Sequence, residues 1–290
     1  MATETARFGA GKRESHDASA YYRRRMAART ASPAAGEAVS PPDEIVDALF
    51  CGSSESMKEI PDSCVALMVT SPPYNVGKEY DGDLSLDEYL ALLRSVLAET
   101  HRVLEPGGRV AVNVANLGRK PYLALNHRVA TLLEELGFLL RGEIVWQKAQ
   151  GAGGSCAWGS WMSAKNPTLR DVHEYVIVAS KGSFRRQKIG RDTIDRQSFL
   201  DATVSVWTIP PASARRIGHP APFPVELPRR LIELYTFEGD LVLDPFIGSG
   251  STAVAAVETG RHYVGYDSVA EYLDIARERI AAARAATTAG

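Results

Sequence analysis

Two stretches of the chain carry residue types at spacings that suit chemistry. The first is Thr70-Ser71-Pro72-Pro73-Tyr74-Asn75, which follows the apolar run Cys64 to Val69. Such a run reads as a strand buried on both faces. Two consecutive prolines fix φ twice and remove two N–H donors, so neither strand nor helix continues through them. The expected product is a rigid corner at the carboxyl end of a central strand, where open α/β sheets bind ligands. It carries a hydroxyl on one side and a phenol on the other. The second stretch is Asp244-Pro245-Phe246-Ile247-Gly248-Ser249-Gly250-Ser251-Thr252, a glycine-bearing loop after the short run Leu241 to Leu243. It leads into a helix and then a strand, His262 to Tyr266, that ends in Asp267.

Strand, glycine loop, helix, strand and acid together form a nucleotide-binding pattern. The glycines let the backbone approach a ligand, and the terminal acid is placed to accept hydrogen bonds from a ribose diol. The loop is not G-x-G-x-x-G, which argues against a nicotinamide dehydrogenase, and it lacks the lysine of a phosphate-cradling loop. It begins with an acid, Asp244, which repels a pyrophosphate and suits a cationic ligand carrying an amine and an adenosine. S-adenosylmethionine has these features.

The elements around these loops alternate. Strands are expected at 45–50, 64–69, 109–115, 139–146, 173–180, 240–244 and 262–267. Helices are expected from 53 to about 60, from 85 to 104 with a Ser85/Glu88 capping box, and at 121–136, 224–235, 253–259 and from 269 onward. Pro106-Gly107-Gly108 is read as a helix stop. The order implies a mostly parallel sheet with crossover helices. Residues 1–41 read as a flexible basic extension containing Arg23-Arg24-Arg25 and Arg29. Residues 42–180 and 216–286 form the two halves of one α/β domain, and 181–215 a small insert outside the main sheet. A Gly/Ser-rich loop from 150 to 171 holds Trp158 and Trp161, either of which could close over a ligand or equally belong to the core.

The 290 residues are 45% hydrophobic and 23% charged, which is ordinary for a globular protein. No apolar run is long enough to span a bilayer, and no signal-peptide pattern opens the chain. The three cysteines, Cys51, Cys64 and Cys156, include no CxxC pair. They suggest reduced thiols, a cytoplasmic setting and no metal site. The net charge is only −2, but Lys181 to Arg216 holds eight basic and three acidic residues. Arg185, Arg186, Lys188, Arg191, Arg196, Arg215 and Arg216 are thereby candidates for contact with DNA phosphates.

The Asp244–Thr252 loop together with Thr70-Ser71-Pro72-Pro73-Tyr74 resembles the amino-directed DNA methyltransferases. Because the Ser-Pro-Pro-Tyr motif comes first, the order resembles the permuted β group of that family. The likeness covers roughly 42 to 280 and extends to Pro106-Gly107-Gly108, Ile144-Val145-Trp146-Gln147-Lys148 and Gly218-His219-Pro220-Ala221-Pro222-Phe223-Pro224. It implies a Rossmann-like S-adenosylmethionine-dependent methyltransferase fold, helices on both faces of the sheet, with a target-recognition region near 181–215. Asp244, Phe246, Gly248, Gly250 and Thr252 would line the methionine part of the cofactor. Asp267 would hold the ribose, and Pro222 and Phe223 would pack nearby. Where relatives have Gly-Asp, this chain has Gly52-Ser53, which leaves an acid missing from that loop.

The implied substrate is a nucleobase in double-stranded DNA, flipped out of the helix. Ser71 Oγ and the Pro72 carbonyl would accept the two hydrogens of an exocyclic amine, held rigid by Pro73, while Tyr74 would stack on the base. Methylation at cytosine C5 needs a thiolate, usually after a proline, and none of the three cysteines follows one. In this family Ser-Pro-Pro-Tyr is associated with cytosine N4, so the expected activity is site-specific cytosine-N4 methylation. Adenine N6 methylation and, in a different class, a non-catalytic DNA-binding module remain the alternatives. A second copy of the chain and a cognate restriction endonuclease are candidate partners by the same resemblance.

Overall fold

The computed structural model describes residues 36–74, 84–118, 121–148, 159–217 and 222–288. The basic cluster Arg23–Arg25 with Arg29, as well as Asn75 and Trp158, lies outside the described residues. The strands are β1 (Ala48–Cys51), β2 (Val65–Thr70), β3 (Leu104–Val114), β4 (Phe138–Gln147), β5 (His173–Lys181), β6 (Val206–Thr208), β7 (Leu241–Asp244) and β8 (His262–Asp267). The helices are α1 (Leu86–Val103), α2 (Leu125–Glu135), α3 (Arg196–Ala202), α4 (Ala214–Ile217), α5 (Glu226–Tyr235), α6 (Ser251–Glu258) and α7 (Ala270–Thr288).

One eight-stranded sheet runs β1-β8-β7-β2-β3-β5-β4-β6. β5 is antiparallel to both of its neighbours, and the other pairings are parallel. The two central strands, β2 and β7, are buried along their whole length. Burying each Val, Leu or Met side chain there stabilises the sheet by about 1.5–3 kcal/mol. Separate apolar clusters, one around Leu104, Val112 and Leu133 and one around Leu67, Leu231 and Ala255, pack on the sheet. No helix among the described residues is long and apolar enough to cross a membrane.

Several elements differ from the sequence reading. No helix forms between 53 and 60, because α1 satisfies that segment's backbone instead. Glu99 accepts from Met57 N–H at 2.8 Å, and Arg102 donates to the carbonyls of Met57 and Ile60 at 2.8 and 2.9 Å. Pro106-Gly107-Gly108 does not end a helix. α1 stops at Val103, and the chain enters β3 directly, carrying the proline through a register irregularity between Val65 and Leu67. Gly107 has φ +81°, and a Cβ there would lie 2.3 Å from the Arg185 carbonyl oxygen, so the position admits only glycine. The expected capping box is present: Ser85 Oγ accepts from Glu88 N–H, and the Glu88 carboxylate accepts from Ser85 N–H.

The segment 181–215 is not an insert outside the sheet. Lys181 is the last residue of β5, and β6 adds to the edge of β4 in parallel register, Val145 opposite Val206 and Gln147 opposite Thr208. An alternating run of only three residues, Val206 to Thr208, is too short to show its sheet partner in the sequence.

Candidate active site

The two loops singled out by sequence meet where β2 and β7 end side by side. The Thr70 hydroxyl donates to Asp244 Oδ1 at 2.6 Å, and the Thr252 hydroxyl donates to Oδ2 at 2.6 Å. The Phe246 N–H adds a third bond to Oδ1 at 3.1 Å. This carboxylate therefore ties the strand before Ser71 to both ends of the glycine loop. It is fully buried, and burial raises its pKa to about 6, a shift that the Thr252 and Thr70 hydroxyls oppose.

A cavity of about 600 Å³ opens above these strand ends. Ser71, Pro72, Pro73 and Tyr74 line one wall, and Phe246, Gly248, Asp267, Pro222 and Phe223 line another. Gly52, Ser53 and Ser54 also reach it, so the loop that lacks an acid still borders the cavity. Asp244, Gly250 and Thr252 do not line it. Asp244 and Thr252 form the knot beneath the floor, and Gly250, at φ +81°, lets the loop approach α7. A Cβ there would come within 2.8 Å of the Ala276 Cβ.

Asp267 ends β8 with both oxygens engaged once. Oδ2 accepts from Gly248 N–H at 2.9 Å, and Oδ1 accepts from Val269 N–H at 2.9 Å. Burial raises its pKa, against the pull of those two N–H groups. Each oxygen keeps a lone pair for a ligand hydroxyl. Thus the acid acts both as the cap of the α7 entry and as a cavity wall.

Beneath the Ser-Pro-Pro-Tyr corner lies a polar cluster that sequence reasoning missed. Ser71 Oγ is 3.0 Å from the Tyr74 hydroxyl, and the Tyr74 hydroxyl donates to Glu174 Oε2 at 3.0 Å. Asn113 Nδ2 donates to the same oxygen at 2.6 Å and lies 3.0 and 3.2 Å from Tyr74 Oη and Ser71 Oγ. Lys148 forms an ion pair with Glu174 Oε1. Asn113 and Glu174 are buried, on β3 and β5. Their signal in the sequence is a lone polar residue inside an apolar strand run, Val110 to Val114 and Glu174 to Val178. The Tyr74 phenol is held well above its ordinary pKa, chiefly by burial and then by the Glu174 charge, so it keeps its proton.

The basic stretch lies mostly elsewhere. In the β3–β5 ladder, Val114 pairs with Tyr175 near the cavity, and Arg109 pairs with Ser180 at the other end. Those positions are separated by about 17 Å of strand, at about 3.3 Å per residue. Arg185, Arg186 and Lys188 sit beyond the Arg109 end, around Tyr235 and Phe237. Arg186 bonds Glu105 at 2.6 Å and Asp240 at 2.7 Å; Lys188 bonds Asp240 at 2.8 Å, and Arg191 bonds Glu238 at 2.9 Å. Arg186 is therefore corrected from a phosphate contact to a buried ion pair that fastens this segment to β3 and β7, while Lys188 and Arg191 form more exposed pairs at the same end. Lys181 is buried and donates to the Arg102 and Leu104 carbonyls at the end of α1. Arg185 is exposed at this far end, and Arg196 is exposed at the start of α3. Arg215 and Arg216 belong to α4, just after Pro211 and Ala212, which line the cavity.

Comparison with known proteins identifies the family. The model of the N6/N4 methyltransferase family, described as DNA methylase, matches residues 65–278. The chain is 31% identical over 258 residues to the type II methyltransferase M.ScaI of Streptomyces caespitosus, covering 81% of each. It is 28% identical over 241 residues to the DNA adenine methyltransferase YhdJ of Escherichia coli, covering 77% of this chain and 79% of that one. Among solved structures, the DNA modification methylase TTHA0409 of Thermus thermophilus, complexed with S-adenosyl-L-methionine, superposes with a TM-score of 0.65 at 27% identity, covering 81% of this chain and 95% of that one. With Ser71 and Asp267 lining one cavity and the family match spanning both, the chain belongs to the N6/N4 DNA methylase family.

Proposed function

We propose that this protein is a site-specific DNA methyltransferase acting on the exocyclic N4 amine of cytosine, with S-adenosylmethionine as methyl donor. The observation that carries this reading is one cavity lined by the Ser71 corner, the Phe246–Gly248 loop and Asp267. The residues fit the donor. Asp267 has lone pairs for a ribose diol, Gly248 removes side-chain bulk, and Phe246, Pro222 and Phe223 give apolar walls. When bound, S-adenosylmethionine supplies a methyl group activated by its sulfonium.

The chain's own work is on the base. An exocyclic amine is a poor nucleophile because its lone pair is delocalised into the ring. Ser71 Oγ and the Pro72 carbonyl accept its two hydrogens, favour a more pyramidal nitrogen and free the lone pair, with the double proline holding both acceptors in place. The Tyr74 phenol is tied through its hydroxyl to Glu174, so its ring is held for stacking at a fixed angle. Ser71, where an aspartate is associated with adenine N6, favours cytosine.

DNA has to approach the carboxyl ends of the parallel strands to deliver a flipped base. Residues 159–172 lead into β5 at its cavity end. There Trp161, Met162 and Leu169 are 66%, 88% and 86% exposed, with Lys165 and Arg170 among them. Exposed apolar side chains interleaved with cations suit a groove-facing element. We assign the DNA face to residues 159–172 together with Arg215.

The similarity to an adenine methyltransferase keeps adenine N6 as the second reading. Mass spectrometry of nucleosides from DNA incubated with the protein and S-adenosylmethionine separates the two. N4-methylcytosine is expected; N6-methyladenine alone overturns the choice of base, and absence of any methylated nucleoside overturns the enzyme.

A further inference from the structure

The cluster beneath the corner has a direction. Glu174 as a carboxylate can only accept hydrogen bonds. Its Oε1 takes the Lys148 ammonium, and its Oε2 takes the Tyr74 hydroxyl at 3.0 Å and Asn113 Nδ2 at 2.6 Å. A phenol has one proton. With that proton committed to Glu174, the Tyr74 oxygen can only accept from its other neighbours, and Ser71 Oγ stands 3.0 Å away. A Ser71 proton turned down toward Tyr74 therefore meets an acceptor. The second hydrogen of Asn113 Nδ2 is also directed at Tyr74 Oη and Ser71 Oγ, 3.0 and 3.2 Å away, and being a donor it too demands an acceptor there. With the proton so turned, what remains on Ser71 Oγ toward the cavity is a lone pair.

We propose that Glu174 is a positioning residue that sets the hydrogen-bond polarity of the corner, so that Ser71 presents an acceptor, not a proton, to the target base. The proposal rests on the amine-methylation reading above and deepens it. A serine hydroxyl is by itself indifferent: it can donate to a ring carbonyl as readily as it accepts from an amine. Fixing its proton inward makes the corner select bases with an exocyclic amine over their deaminated counterparts, which carry a carbonyl at the same ring position. The same ordering serves cytosine and adenine, so it does not depend on which of the two is methylated. The phenol's raised pKa is consistent with this, because Tyr74 always has a proton to hand to Glu174.

Glu174→Gln tests the proposal. Its amide can donate to the Tyr74 oxygen, which frees the phenol proton for Ser71 and lets the serine proton turn toward the cavity. Once the methylated position has been mapped on DNA, three quantities are measured on an oligonucleotide duplex. In single-turnover transfer, Glu174→Gln is expected to be slower by about tenfold to a hundredfold, less than the loss of a directly bonded partner because it acts through Tyr74, with S-adenosylmethionine affinity unchanged. In a Tyr74→Phe background the same substitution is expected to have no further effect, because the relay is already cut. In binding, the wild type is expected to favour the amine-bearing base over its carbonyl counterpart (cytosine over uracil, or adenine over hypoxanthine), and Glu174→Gln to lose that preference. Equal transfer rates for wild type and Glu174→Gln overturn the proposal, as do additive losses with Tyr74→Phe or an unchanged base preference. Failure of the wild type to methylate any DNA overturns the proposed function itself, and this proposal with it.

Discussion

The two ends of the central sheet each hold a polar cluster built from the same kinds of residue, and the clusters differ in what they leave unspent. At the far end, Arg186 and Lys188 converge on Asp240, and Arg186 also holds Glu105. Burial alone would raise the Asp240 pKa, but hydrogen bonds and charge from Arg186 outweigh it and hold the carboxyl below its ordinary value. Both carboxylates here are taken up by cations, and of this cluster's side chains only Arg186 Nη2 is left without a hydrogen-bond partner among the described residues. At the cavity end, Glu174 meets Lys148, Asn113 and Tyr74, and the chain of bonds terminates on Ser71 at the cavity wall. This cluster ends on an open acceptor. An ionic cluster whose carboxylates are taken up fastens elements together, whereas one with an unspent lone pair can act on a ligand.

The comparison breaks most visibly at Asp240. Asp240→Ala strips Arg186 and Lys188 of a buried partner and is expected to cost about 3–5 kcal/mol of stability. Urea denaturation measures this, and methyl transfer per folded molecule is expected to stay at the wild-type level. A loss of transfer without a loss of stability would mean that the far end takes part in function.

A second buried carboxylate sharpens the contrast through pH. Asp244 titrates at about 6 in the folded chain against an ordinary 3.8. Between those values the folded state keeps a proton that the unfolded state has released. Stability from this group is therefore full below pH 3.8 and lost as pH rises through about 6, on the order of 3 kcal/mol in all. The stability difference between wild type and Asp244→Asn, followed by urea midpoints from about pH 4 to about pH 7, is expected to move against the wild type. A difference independent of pH would contradict the assignment.

Smaller effects are expected at groups on the rims. Asp267→Ala removes the proposed ribose acceptor and should weaken S-adenosylmethionine binding about tenfold or more, since a hydrogen bond to a charged group contributes about 1.5–3 kcal/mol. Calorimetry reads this directly. Arg191→Ala breaks an exposed pair with Glu238 and should change stability by less than about 1 kcal/mol.

Much of the fold was legible because its signals are local. Apolar runs ended by Pro-Pro or by Asp-Pro marked β2 and β7, and Ser85 with Glu88 marked the start of α1. The topology of β6 was hidden because a three-residue strand has no periodicity to read. The absent helix at 53–60 was hidden because Glu99 and Arg102, some forty positions later, satisfy that backbone. At the site, both loops were legible by composition, but the roles within them were not. Asp244 reads as a ligand-facing acid and is the knot under the floor. The basic run reads as a phosphate surface because partners such as Glu105 and Asp240 are distant in sequence. Conversely, Asn113 and Glu174 each look like a single polar interruption of a strand, and only the β3–β5 pairing brings them under Ser71.

The central claim is that Ser71 works on the target amine and not on the cofactor. Single-turnover methyl transfer by Ser71→Ala, with S-adenosylmethionine affinity measured alongside by calorimetry, tests this most directly. The expected result is a rate lower by about a hundredfold to a thousandfold, as for loss of an oriented hydrogen-bond partner in a transition state, with cofactor affinity unchanged. A wild-type rate, or a loss of cofactor affinity in step with the rate, would contradict it.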